Sequence, residues 1–249
     1  LMGFDLDLVE QLVQATLDIG IDLRLNTSVE AIEKSSNRLI VHASVNNSKQ
    51  EFEADMVVHG AGRVPEINDL DLEKAGVEYE KKGVLVNEYL QSVSNPTVYA
   101  AGDAAASGGL PLTPVAAMEG HIVASNLLKG NHLTPDYTGV PTVVFTVPPL
   151  ASVGLREETV RERGLRFRIN HRDTSGWYSS RRVSMKYSGF KILVEEESDH
   201  ILGAHLLGLH AEEVINIFAI AIRQGISAAD LKKTPYAYPT SSSDISYMV

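Results

Sequence analysis

The sequence contains no cysteine, no excess of positive charge and no apolar run reaching the roughly 18 residues that a membrane-spanning helix needs. Each absence excludes something. Without cysteine there is no structural disulfide, no thiolate metal site and no cysteine nucleophile within the chain. Lys and Arg number 22 against 32 Asp and Glu, a formal charge of −10. Such a charge repels polyphosphate and anionic lipid, so neither a nucleic-acid nor a membrane partner is expected. Residues 1–30 carry no secretory signal, and the compartment therefore reads as cytoplasmic by default. Internal repeats and low-complexity tracts are also missing. What is there is an ordinary globular composition over 249 residues, 44% hydrophobic and 22% charged, enough to bury a sizeable core.

The chain opens directly into a helical pattern, with Leu6, Val9, Leu12, Val13, Thr16 and Leu17 at helical spacing and Gly20 placed to end it. No glycine fingerprint precedes it, so the expectation is the tail of a longer nucleotide-binding domain. Strands are predicted at 21–25, 38–45 and 51–58, the last two joined by Asn46-Asn47-Ser48. Gly60-Ala61-Gly62-Arg63-Val64-Pro65 breaks the pattern as a crossing between domains does. A middle segment follows, with strands at 84–86 and 97–100 and a helix over about 113–128. Thr113 is read as its N-cap, Pro114 suits the first helical position, and Gly130 closes it.

Residues 131–141 read as a linker, and the pattern beyond them is α+β. Strands are predicted at 142–146, 150–154 and 201–207, with a short helix at 156–163. A hairpin is expected to pair 182–187 with 190–195 across Ser188-Gly189. Residues 211–224 form a helix apolar nearly all round, predicting burial on every side by its own core or by a second subunit. Ser227-Ala228-Ala229-Asp230 resembles a capping box opening the next helix.

Thr97-Val98-Tyr99-Ala100-Ala101-Gly102-Asp103 is the sharpest chemical signal. A strand would deliver the chain to a tight turn at Gly102, leaving Asp103 at the strand's carboxyl end, where open α/β sheets contact ligands. A carboxylate there accepts hydrogen bonds from sugar-like hydroxyls; the plain alternative is a strand–turn–helix with Asp103 as a cap. About ten residues on, Leu112-Thr113-Pro114 opens the helix and presents amide donors and the positive dipole end to an anionic ring edge. The eight histidines show no i, i+4 pair, so no metal is expected. Arg161, Arg163, Arg166 and Arg168 read as a solvated helix end, and Trp177-Tyr178 as a weak candidate contact surface.

Taken in order, these motifs resemble the flavoprotein (pyridine nucleotide) disulfide oxidoreductases, which include glutathione reductase, dihydrolipoamide dehydrogenase and mercuric reductase. The carriers are T-x-Y-A-x-G-D, the upstream G-A-G-R-V-P, the downstream L-T-P-V-A-A-M-E-G, the 141–155 segment and Tyr238-Pro239-Thr240-Ser241-Ser242. The resemblance implies an α/β and α+β fold in three parts. Residues 1–60 would be the C-terminal remnant of the NAD(P)-binding domain, 61–137 the central FAD-contacting segment, and 138–249 an α+β dimerisation domain with an antiparallel sheet. It implies FAD and NAD(P)H as cofactors, a small-molecule substrate and a homodimer. Asp103 would bind the flavin ribitol with Gly102 permitting the turn, Leu112 and Thr113 would face the flavin pyrimidine, and Gly62 and Arg63 would lie beside the nicotinamide.

Two departures stand out. The family's FAD fingerprint G-x-G-x-x-G, its C-x-x-x-x-C redox pair and its second glycine fingerprint are not in this sequence. The chain by itself is therefore expected to be inactive, with neither dinucleotide held tightly. The family's catalytic histidine, followed five residues later by glutamate, is replaced by Tyr238 and Ser243, with Asp244 adjacent. A phenol ionises near pH 10, so it donates a hydrogen bond but is a poor base at neutral pH. Either Tyr238, helped by Asp244, does a modified version of the job, or the intact enzyme reduces something that needs no thiol protonation. A dimerisation or binding module without redox activity is the competing reading.

Overall fold

The computed structural model describes residues 1, 3–35, 37–46 and 48–249. The chain divides into two compact units, Ile19–Arg63 and the remainder, Leu1–Asp18 with Val64–Val249. The smaller unit is an antiparallel meander of β1 (Thr27–Ser35), β2 (Arg38–Val45) and β3 (Ser48–Ala54), in that order. The strand predicted at 38–45 is present, with Ala43 buried at its centre. Residues 21–25 pair with nothing as a strand; the first strand lies at Thr27–Ser35, whose mostly exposed residues show no apolar alternation. The third strand ends at Ala54, short of the predicted 58. The expected Asn46-Asn47-Ser48 turn rests partly on Asn47, outside the described residues.

The larger unit begins with α1 (Leu6–Asp18). A two-stranded ribbon of β4 (Tyr79–Glu80) and β5 (Gly83–Val84), a 3-10 turn at Gly102–Ala104 and helix α2 (Thr113–Lys129) follow. The predicted strand at 97–100 is not part of a sheet. Its one ladder contact is an isolated bridge between Tyr99 and Gln91, and the amide of Ala100 donates to Leu90 instead.

The remaining elements are β6 (Thr142–Val144), β7 (Leu150–Gly154), α3 (Glu157–Glu162), β8 (Phe167–Asp173), α4 (Tyr178–Arg181), β9 (Gly189–Glu195), β10 (Ile201–Leu207), α5 (Ala211–Gln224), α6 (Ala228–Lys233) and α7 (Ile245–Met248). The five strands form one antiparallel sheet in the order β6-β7-β10-β9-β8. The expected hairpin between 182–187 and 190–195 is overturned. Residues 178–181 are helical, and β9 pairs with β8 and β10. The edge strand β8 was hidden in the sequence because Phe167 and Asn170 alone of its residues are even half-buried, so it shows no period-2 signal.

Alternation along the strands covers the sheet on both faces. Phe190, Ile192 and Val194 of β9, with Ala204 and Leu206 of β10, face α5 and pack with Val214, Ile215 and Phe218. Each of these side chains larger than alanine contributes about 1.5–3 kcal/mol by leaving water. On the opposite face Leu150 and Leu207 meet Phe4, Leu8 and Leu12 of the α1 segment. Helix α5 occupies the predicted span, and within the single chain Glu213, Asn216, Ile220 and Arg223 are exposed, with Ile220 57% accessible, so the chain's own core covers only one side of it.

The α1-facing side also carries a polar row in register across all five strands: Thr142, Ser152, His205, Lys191 and His171. Lys191 is buried, and its ammonium meets Asp5 at 3.0 Å, Glu157 at 3.1 Å and, most closely, Asp7. Burial alone would lower its pKa, but hydrogen bonds to Asp7, Asp5 and Glu157 carry it above the usual lysine value. His205 is fully buried and neutral in character: its Nε2 lies 3.2 Å from the Leu155 carbonyl and its Nδ1 2.7 Å from the Ser152 hydroxyl. Desolvation holds its pKa below the ordinary 6.5.

Removing the cation leaves a buried carboxylate uncompensated, so Lys191→Met is expected to cost about 3–5 kcal/mol in urea unfolding. An unchanged midpoint would contradict this. The acid limb has two origins. His205, its pKa depressed by folding, makes stability fall as pH drops below its ordinary 6.5. Asp7, held low chiefly by its Lys191 bond, and Glu157, held low chiefly by Arg161, contribute stability present above their ordinary 3.8 and 4.5. That contribution is lost as pH falls through their lowered values. His205→Gln should flatten the upper part of this limb, read as thermal midpoint against pH, and leave the lower part.

Candidate functional site

The turn at Gly102 is built from below by one carboxylate. Glu119 is the middle member of an inward stripe on α2 (Val115, Glu119, Asn126) and is fully buried. Its Oε2 accepts the Gly102 amide at 2.6 Å; its Oε1 accepts the Ser107 hydroxyl at 2.7 Å and the Tyr137 phenol at 2.6 Å. Three donors compensate a charge that burial would otherwise make very costly. Desolvation, and then the bond to Glu119, push the Tyr137 phenol up to about 12, so it remains a donor at neutral pH.

Close packing fixes the rest of the corner. Gly102 has φ +63°, and a Cβ there would sit 2.8 Å from the Ala116 Cβ, in the first turn of α2. Gly109 lies against Tyr137, Val115 and Glu119, where a Cβ would come within 2.8 Å of all three. Asp103, next to Gly102, is exposed on the outer side of the turn. Helix α2 begins at Thr113, with Leu112 as its N-cap, no side-chain cap bond, and Pro in the first turn. Thr113, the predicted cap, is thus the first helical residue, and the cap falls one position earlier, at Leu112. The helix start leaves amides without intrahelical acceptors, and Thr113 and Pro114 are exposed there. Gly102, Asp103, Leu112 and Thr113 accordingly share one corner.

The other predicted residues lie elsewhere. Gly62, with φ +96°, and the exposed Arg63 end the smaller unit. Tyr238 is 77% accessible and stacks on Tyr178 with ring centroids 6.3 Å apart and planes at 27°. It shares a crevice with Ser179, Arg182, Pro239, Thr240, Ser243 and Asp244. Asp244 is half-buried, and burial pushes its carboxyl above the ordinary 3.8 while a bond from the Ser179 hydroxyl acts the other way. Ser243, at the position of the resembled family's glutamate, forms a reciprocal cap with Thr240. Among the described residues no group of three His, Asp or Glu side chains is arranged to hold a metal ion.

Sequence reasoning missed Glu119, Ser107 and Tyr137 as parts of the site. The available signal was a carboxylate four residues after Val115, on the apolar side of α2. Glu119→Ala should release the Gly102 turn, and Tyr137→Phe should cost about 1.5–3 kcal/mol, the range for a hydrogen bond to a charged group. Hydrogen exchange at Gly102 reads the first, and unfolding the second. Protection at Gly102 retained in the alanine variant would show that Glu119 does not hold the turn.

Comparison with known proteins agrees with this architecture. Residues 1–120 match the pyridine nucleotide-disulphide oxidoreductase pattern and residues 140–249 the dimerisation domain of the same family. The chain is 35% identical to glutathione reductase of Burkholderia cepacia over 248 residues, covering 96% of this chain and 52% of that protein. It is 32% identical to mercuric reductase of Lysinibacillus sphaericus, covering 96% and 44% respectively. It thus spans about half the length of these relatives. An uncharacterized 19.7 kDa protein in a mercuric resistance operon of Staphylococcus aureus is 52% identical over 180 residues, 72% of this chain and all of that one. Among solved structures, the HOCl-induced flavoprotein disulfide reductase RclA from Escherichia coli superposes with a TM-score of 0.85 at 28% identity, over 98% of this chain and 55% of its own. The chain belongs to the pyridine nucleotide-disulphide oxidoreductase family.

Proposed function

We propose that this chain forms the C-terminal part of an FAD-dependent, NAD(P)H-using oxidoreductase that passes electrons through flavin to a disulfide or related small-molecule acceptor. The observation that carries the reading is the Glu119-held corner, where an exposed carboxylate on a rigid turn adjoins an exposed helix start. These residues fit the ribitol and ring ends of FAD, while the diphosphate end has no G-x-G-x-x-G in this sequence. Asp103 accepts hydrogen bonds from the ribitol hydroxyls. Leu112 and Thr113 turn the helix start and its dipole toward the electron-rich pyrimidine edge of the ring. Gly62 and Arg63 border the nicotinamide cofactor. FAD held by these residues would supply two-electron redox chemistry between the nicotinamide and the acceptor. Tyr238 holds a proton on its phenol oxygen for the acceptor, with Asp244 bracing the segment.

The dimerisation domain supports a homodimer through residues 138–249, and the three-part division at 1–60, 61–137 and 138–249 belongs to the same proposal. No described helix is long and apolar enough to cross a membrane. A cytoplasmic site of action, the default reading of the sequence, belongs to the same proposal. A second reading, a dimerisation or binding module without redox activity, is favoured by the 19.7 kDa relative, which this chain covers end to end.

The purified 249-residue chain is expected to be colourless and without disulfide reductase activity, and to elute at twice its 27.1 kDa mass. A flavin absorbance band would overturn the first expectation, a monomeric elution the dimer. In a flavin-retaining enzyme that contains this chain, Asp103→Ala should weaken FAD retention by about 1.5–3 kcal/mol through loss of a charge-assisted hydrogen bond. Flavin content unaffected by that change would count against the ribitol assignment and favour the module.

A further inference from the structure

Tyr178 is 60% accessible and Tyr238 77%, so the stacking of their rings is not a product of core packing. An exposed phenol on a loop ordinarily samples several rotamers. Here the segment on which Tyr238 sits is gripped by three consecutive residues of one short element. Trp177, half-buried against the core, lies 5.7 Å from the Phe190 ring and 6.1 Å, edge-on, from Tyr247. Tyr178 stacks on Tyr238 at 6.3 Å. Ser179 donates its hydroxyl proton to the Asp244 carboxylate.

The element is itself immobilised from beneath. Ser180 shares a hydrogen bond of 2.8 Å with Ser188, which also accepts the Thr174 hydroxyl at 2.9 Å, all three side chains being buried. The Trp177 amide donates to the Thr174 carbonyl, and the Met185 amide to that of Ser180. The C-terminal stretch, for its part, is closed on itself by the Thr240–Ser243 cap and joined to β8 by Asn170, whose side-chain amide reaches the Met248 carbonyl at 2.8 Å. Its upstream end, at Tyr238, has Tyr178 as the ring that limits its rotation.

We propose that Trp177-Tyr178-Ser179 is the positioning element for Tyr238. It clamps the stretch from 238 to 247 at three points, and Tyr178 sets the orientation of the Tyr238 phenol. The inference rests on the reading of Tyr238 as the residue at the family's proton-holding position. A histidine at that position is oriented by a carboxylate through a hydrogen bond to its second ring nitrogen. A phenol has no second polar atom, so orientation by ring stacking is a substitute that suits its chemistry. Tyr178 is accordingly a positioning residue rather than a catalytic one.

The test separates the two layers. In the 249-residue chain labelled with ring-13C tyrosine, Tyr178→Ala should shift and broaden the Tyr238 resonances, and Tyr178→Phe should restore them, because stacking needs the ring and not its hydroxyl. Ser179→Ala, which frees Asp244 without touching either ring, should give a smaller change of the same kind. Tyr238 resonances indifferent to Tyr178→Ala would overturn the proposal. In a flavin-retaining enzyme containing the chain, Tyr178→Ala should lower kcat for the acceptor about tenfold with KM for NAD(P)H unchanged, as expected for a misplaced reacting group, and Tyr178→Phe should rescue it. If Tyr238→Phe impairs turnover while Tyr178→Ala does not, positioning by Tyr178 fails. If Tyr238→Phe leaves turnover intact, the underlying reading of Tyr238 fails, and the resonance experiment still decides the clamp.

Discussion

A single carboxylate with no exposure to solvent organises the corner on which the flavin assignment depends. Glu119 accepts hydrogen bonds from a backbone amide, a hydroxyl and a phenol that come from three separate stretches of chain. A buried charge tolerates no vacancy among its donors, since each lost bond leaves desolvation uncompensated. The Gly102 turn, the Ser107–Gly109 loop and the 137 region therefore have one mutual arrangement. Asp103, the next residue after Gly102, is carried by that arrangement to the exposed side of the turn. Asn126 works similarly two turns further along α2, donating to the carbonyls of Tyr89 and Leu133 and accepting the amides of His132 and Leu133.

The dimerisation domain solves a different problem. Its sheet is covered on both faces, so alternation cannot be hydrophobic against polar and becomes one core against another. On the α5 side the contacts are apolar throughout. On the α1 side the polar row through His205 and Lys191 receives the two acidic residues that open the α1 segment. The cation makes this docking specific in register, because an apolar interface would accept a sliding helix whereas three carboxylates converging on one ammonium do not. A stretch assigned to the oxidoreductase part of the family is in this way fastened to the sheet of its dimerisation part.

Legibility along the sequence followed the strength of local pattern. The strands β7 and β10 and helix α5 lie at the residues expected of them, because their burial is continuous and their ends are marked by glycine. Residues 182–187 read as a strand from their alternation, but Arg181, Arg182 and Val183 close helical turns onto 177–180 once Trp177 is seated on Phe190. The motif at 97–103 was read correctly as a turn bearing Asp103 and wrongly as a paired strand, since pairing depends on a neighbour and not on the residues themselves. Glu119 lies inside L-T-P-V-A-A-M-E-G without a signal of its own, because nothing in a one-dimensional pattern distinguishes a carboxylate that faces inward with three donors from one that faces water.

Residue order by itself determined the family, the absence of the phosphate-binding glycines and of thiol chemistry, and the replacement of the histidine–glutamate pair by Tyr238 and Ser243. These are statements about which groups exist, and covalent order fixes them. Tertiary structure alone decided which groups meet: Glu119 with Gly102 and Tyr137, Lys191 with Asp5 and Glu157, Tyr178 with Tyr238. Such contacts join positions 17 to 186 residues apart, and only the closure of the fold, with its demand that every buried charge find a partner, selects among them.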